Sequence, residues 1–188
     1  MANAKPTKAS TVNPIKSTRD INKMKASLSG RNLLMFRLGV SFGLRITDLL
    51  TLKIGDVKGK RELRVQESKT GKQRTITISK AMQQELAKLD GDPSEYIFRS
   101  RQGGNKPISR QRAYQVLNDA ASAAGIREKV GEIGTHTLRK TFGYQLYSKG
   151  YDLARLQKIL GHSSQQVTLR YIGIEAEEIA EAYESIDI

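Results

Sequence analysis

The 188-residue chain contains no cysteine and only two histidines, His136 and His162. Disulfide scaffolds and zinc sites built from Cys/His clusters are thereby excluded, although a carboxylate-held Mg²⁺ is not. No apolar run approaches the roughly 18 residues of a membrane span. No secretory apolar region follows Met1. The expected setting is therefore the cytoplasm, away from membranes. Acid is also unevenly spread. Residues 173–188, GIEAEEIAEAYESIDI, hold six acids and no Lys or Arg, which leaves the first 172 residues with all 32 basic side chains, 13 acids and a net charge of +19. A body so charged attracts a polyanion, and nucleic acid is the obvious one.

Apolar residues make up 38% of the chain, enough for a core, and their spacing reads as one mainly helical domain. Residues 1–16 have two prolines and no acid and read as a flexible basic arm. Ser17 and Asp20 in STRD have capping-box spacing. RNLLMFRLGVSFG predicts a buried helix ending near Gly43, and RITDLLTL a short helix capped by Thr47. Residues 62–79 alternate in a strand period around KTGK, which predicts a hairpin with Gly71 in its turn. EYIF reads as a further short strand. Helices are then expected after Ser79, after Ser109 up to Gly125, over 136–149 with Thr135 as cap, from Asp152 to Gly161, and from Ser163 or Ser164 through Tyr171. Ile174, Ile179, Tyr183 and Ile186 recur at roughly helical spacing, so the acidic tail reads as an amphipathic helix. The fold class is α+β, mainly helical, with a small three-stranded antiparallel sheet.

THTLRKTFG, residues 135–143, places His136 and Arg139 three apart, on one face of a helix and in its first turn, where backbone N–H groups favour an anion. LGHSSQQVTLRYIG follows, with His162 just past a helix end and Tyr171 nine residues on. Upstream, GLRITDLL sets Arg45 at a helix entrance with Asp48 beside it, and SKTGKQR carries Lys69 at the hairpin tip.

Together these motifs resemble the tyrosine recombinase (phage integrase) family, whose pattern runs Arg…Lys…His-x-x-Arg…His/Trp…Tyr. Arg45, Lys69, His136, Arg139, His162 and Tyr171 match it in order, over about residues 30–175. The resemblance implies that family's catalytic fold over residues 17–173. It also implies site-specific DNA cleavage and rejoining through a 3′-phosphotyrosine. Family members usually carry a helical core-binding domain ahead of the catalytic one. Here the 1–16 arm stands in that place, as in a minimal protein or an excised domain.

Metal-free phosphodiester cleavage needs a nucleophile, cations for the phosphorane and an acid for the leaving oxygen. Tyr171 is the expected nucleophile, with Tyr183 as its rival. Arg45 and Arg139 would grip the non-bridging oxygens, and Lys69, preferred to Lys72, would protonate the leaving oxygen. His136 would accept the Tyr proton or hold the phosphate, and His162 would donate to it. Asp48 would orient Arg45 or cap a helix. Lys72, Arg74, Arg110, Arg112 and Lys140 are candidate DNA contacts. No metal or cofactor is expected. The expected partners are double-stranded DNA and other copies of the chain: a monomer free in solution and a tetramer on DNA, with tail residues 174–188 docking on a neighbour. Alternative readings are a type IB topoisomerase-like enzyme and a DNA-binding regulator that kept the fold without catalysis.

Overall fold

The computed structural model describes residues 12–134, 136–174 and 183–186. Helix α1 (Thr18–Ala26) precedes α2 (Gly30–Phe42), and two short helices, α3 (Ile46–Leu50) and α4 (Ile54–Val57), lead into the hairpin β1 (Glu62–Gln66) and β2 (Gln73–Thr77). Then come α5 (Lys80–Leu86), α6 (Arg110–Ala123), α7 (Arg127–Val130), α8 (Thr137–Ser148), α9 (Leu153–Leu160) and α10 (Gln165–Ile172). Side-chain caps start many of them: Ser79 accepts from Met82, Ser109 from Arg112, Asp152 from Ala154 and Ser164 from Val167. Left-handed Gly43, Gly161 and Gly173 stop α2, α9 and α10. Among the described residues no helix is long and apolar enough to cross a membrane.

Among the described residues the sheet has two strands, not three. β1 and β2 pair antiparallel from Glu62↔Thr77 to Gln66↔Gln73. EYIF instead makes an isolated bridge from Tyr96 to Lys53, and Arg99 makes another to Pro107. Both ladders are cut short for local reasons. Pro107 has no N–H to donate, and the chain turns into α4 immediately after Lys53.

Two other expectations are corrected at the amino-terminal end. Residues 12–16 are not part of a flexible arm. Ile15 is fully buried, its N–H bonds Thr141 Oγ1 at 2.8 Å, and the Lys16 carbonyl accepts from Gln145 Nε2 at 2.8 Å. Residues 12–16 are thus a strap across α8. The capping box is half made: Ser17 Oγ accepts from the Asp20 N–H, but the buried Asp20 carboxylate pairs with Lys129, 2.9 Å away, instead of reaching back. Thr135 and Ile179 lie outside the described residues, as does most of the tail. Within it, Tyr183 and Ile186 are exposed.

The main core includes Met35, Phe36, Leu38, Leu49, Leu63, Phe98 and Leu117, all fully buried. α8 is packed from more than one side. A Cβ on Gly39 of α2 would stand 2.4 Å from Leu138 Cδ1, and one on Gly143 would stand 2.7 Å from Ile172 Cγ2 of α10. Absent side chains at those two points let α2 and α10 close on α8, which draws the ends bearing Arg45, Arg139 and Tyr171 together.

Candidate active site

Arg45 is the residue before α3, in extended conformation with φ −64° and ψ 147°. Thr47, expected as cap, is inside the helix, and no side chain caps it. The Arg45 guanidinium turns to the Glu67 carboxylate, 2.6 Å away. Arg139 and Arg74 approach the same carboxylate at 3.7 and 3.8 Å. Thr70 Oγ1 also donates to Glu67, at 2.8 Å. Burial works against the Glu67 charge, but bonds from Arg45 and Thr70 and the charges of Arg45 and Arg139 outweigh it and hold the carboxyl below its usual range.

Glu67 was missed in the sequence, although a signal was there. Glu67 directly follows β1 and continues the alternation of Leu63 and Val65, and Leu63 is buried. Asp48 does not orient Arg45. Its buried Oδ1 accepts from the Ser68 N–H (3.1 Å) and Oγ (2.6 Å), which anchors the root of the turn that carries Lys69. The Lys69 side chain is exposed.

Arg139 is only 3% exposed and is fixed by main chain: it donates to Gly43 O at 2.6 Å and to Leu160 O at 2.9 Å. Both carbonyls lie at the C-terminal ends of helices, where acceptors are left over and the dipole favours a cation. His136 is the exposed residue that opens α8. Desolvation, then the charges of Lys140, Arg110, Arg139 and Lys69, push its pKa down, which favours the neutral imidazole. Lys69 therefore lies within electrostatic reach of His136.

His162 Nδ1 is 3.1 Å from Thr168 Oγ1, which donates its own proton to Ser164 O. Thr168 can then only accept, so Nδ1 carries the His162 proton and Nε2 is left with a lone pair. Desolvation, Arg139 and Arg45 lower this histidine too. Its ring meets Tyr171 edge-on, with centroids 4.7 Å apart and planes at 67°. Burial raises the Tyr171 pKa, and the charges of Arg139 and Arg45 pull it partly back.

Five of the six expected residues, Arg45, His136, Arg139, His162 and Tyr171, thus meet around one place, and Lys69 stands at its edge. The expected DNA contacts divide. Arg110 and Arg112 at the start of α6, and Lys72, are exposed. Arg74 is turned inward, donating to Phe42 O at 3.3 Å. Lys140 is 7% exposed, with its Nζ over the Tyr171 ring, so neither is a surface contact. Arg31 and Arg101 were not anticipated. With Lys106 and Arg112 they line a cleft beside α6. Burial, Arg101 and Arg112 depress the pKa of Arg31.

Residues 13–178 match the model of the phage integrase family. The chain belongs to that family. Among the proteins it resembles is the probable integrase/recombinase YoeC of Bacillus subtilis (strain 168). It is 44% identical over 177 residues, which cover 92% of this chain and 95% of the relative. A crystal structure of XerA recombinase superposes with a TM-score of 0.72 at 22% identity, over 96% of this chain and 66% of that one. A lambda integrase tetramer bound to a Holliday junction gives 0.69 at 21% identity, over 91% of this chain and 51% of that one. At such identities the two structures establish the fold. The chain spans about half to two thirds of their length.

Proposed function

We propose that this chain is a site-specific recombinase that cleaves and rejoins DNA through a 3′-phosphotyrosine on Tyr171. The observation that carries the reading is that the Arg45 and Arg139 guanidiniums, gathered on Glu67, both act electrostatically on the Tyr171 phenol. The phage integrase family membership, the integrase/recombinase relative, and the likeness to a fold solved on a Holliday junction support it.

The scissile phosphate enters between the two arginines, taking over from Glu67 part of their hydrogen-bonding capacity, and its charge is offset as the phosphorane forms. Tyr171 O attacks phosphorus and the 5′-oxygen leaves with a proton from Lys69, whose turn is held at its root by Asp48 and Glu67. Neutral His136 accepts the phenol proton. For His162 to donate to phosphate through Nε2, its ring must take a second proton, which an arriving anion favours. Arg31, Arg101, Arg110, Arg112, Lys72 and Lys106 contact DNA phosphates. Copies assemble on DNA as a tetramer, and the acidic tail docks on a neighbour. The exposed Tyr183 and Ile186 support that docking.

The test is covalent capture. A pool of duplexes nicked beside a randomised stretch loses the short cleaved strand and traps the adduct. Wild-type protein is expected to give a protein–DNA adduct with a common sequence, and Tyr171→Phe to give none. Relaxation of plasmid without exchange between captured sites would favour a topoisomerase-like activity instead.

A further inference from the structure

Lys140 has no part in the steps above. It follows Arg139 in α8 and is 7% exposed, and its Nζ lies 5.3 Å from the centroid of the Tyr171 ring. Among the described residues it forms no ion pair with a carboxylate; an aromatic face is its neighbour instead. Burying an ammonium without a counter-charge is costly, and desolvation accordingly pushes its pKa down. The charged and titratable groups around the pair are Arg139 on α8, His136 just before it, Arg45 just before α3, and His162 between α9 and α10. Arg139 is already tied to Gly43 and Leu160, and both arginines face Glu67. Lys140 is committed to none of these.

A neutral phenol offers a cation only its ring quadrupole. When the O–H bond breaks, the proton leaves for the base, the electron pair stays on Tyr171 and part of the negative charge enters the ring. The contact then becomes one between opposite charges in a partly dry site, where attraction is stronger than in water. That gain exists only as the nucleophile ionises, so it lowers the barrier instead of tightening the resting state.

We propose that Lys140 is a positioning residue for the nucleophile: its ammonium, seated over the Tyr171 ring, holds the ring against α8 and stabilises the phenolate as it forms. Lys140 itself neither gives nor takes a proton in the step. The proposal rests on Tyr171 being the nucleophile.

Lys140→Met keeps the stem and removes the charge. With the captured duplex and the full chain at neutral pH, this variant is expected to form adduct about tenfold more slowly than wild type, at unchanged DNA affinity. Lys140→Arg is expected to recover most of the rate. In protein labelled with ¹³Cζ-tyrosine and free of DNA, the Tyr171 resonance (assigned by Tyr171→Phe) should titrate about one unit lower in Lys140→Arg than in Lys140→Met. If the arginine variant does not fold, the cysteine-free chain offers another route. Lys140→Cys can be aminoethylated in denaturant and refolded, with the carboxamidomethylated form as the neutral control. A wild-type rate in Lys140→Met, or equal slow rates in folded cationic and neutral forms, overturns the proposal. A duplex that wild type itself fails to cleave counts against the cleavage reading, and the titration still decides the role of Lys140.

Discussion

At the scale of single residues, the site is organised around a carboxylate as much as around its cations. Glu67 separates three guanidiniums that would otherwise repel one another across a dry gap. Glu67→Gln should destabilise the fold by about 3 kcal/mol, the scale of breaking a buried ion pair, as measured by urea denaturation at neutral pH. Because its folded pKa is depressed, the contribution of Glu67 is fully present above the unfolded carboxylate range and is lost as pH falls through the folded value. The gap between wild type and variant should therefore close below about pH 4, and a gap of constant size would exclude this origin. The five residues that meet at the candidate site, and Lys69 at its edge, were legible as candidates because each stands in a short motif that resembles the family pattern. Glu67 and the inward turn of Arg74 and Lys140 were not. A helix exposed on one side betrays its buried face by its period, but α8 buries Thr137 through Thr141 in succession, so charge in its sequence gave no sign of position.

At the scale of elements, the site is held by contacts between ends. Four of the helices were readable from their caps: Ser79, Ser109, Asp152 and Ser164 all cap as their positions indicate, whereas the four-residue helices α4 and α7 were not anticipated. What local pattern did not contain was long-range pairing, such as Asp20 with Lys129 or Ile15 with Thr141. The strap over residues 12–16 looked like an arm because basic, proline-containing sequence resembles a linker until its one large aliphatic side chain finds a pocket. Ile15→Ala should cost about 2–4 kcal/mol in a denaturation experiment, whereas a loose arm would lose nothing. Gly143→Ala would push Ile172, and Tyr171 beside it, away from α8. Its stability cost should be about 1–3 kcal/mol, with a fall in adduct yield larger than the fraction unfolded explains. A yield that merely tracks the folded fraction would mean that this packing does not set the nucleophile.

At the scale of the whole molecule, a basic body of net +19 joined to an acidic tail suits a protein that holds DNA by phosphates and keeps its tail off them. DNA affinity should fall with salt at a log–log slope of about −0.9 per phosphate neutralised, and a flat response would point to another partner. Deleting residues 175–188 should weaken association of copies on a two-site DNA in the ultracentrifuge. Unchanged assembly would place the tail on its own domain. The cations already gathered at the site supply the charge stabilisation that Mg²⁺ would bring, so adduct formation should continue in EDTA. The most direct measurement is the chemical identity of the linkage. The trapped adduct, digested with nuclease and protease, goes to tandem mass spectrometry, which separates Tyr171 from Tyr183 even within one peptide. The account predicts a nucleotide remnant joined through its 3′-phosphate to Tyr171. A remnant on Tyr183, a 5′ linkage, or cleaved DNA with no tyrosine adduct would contradict it.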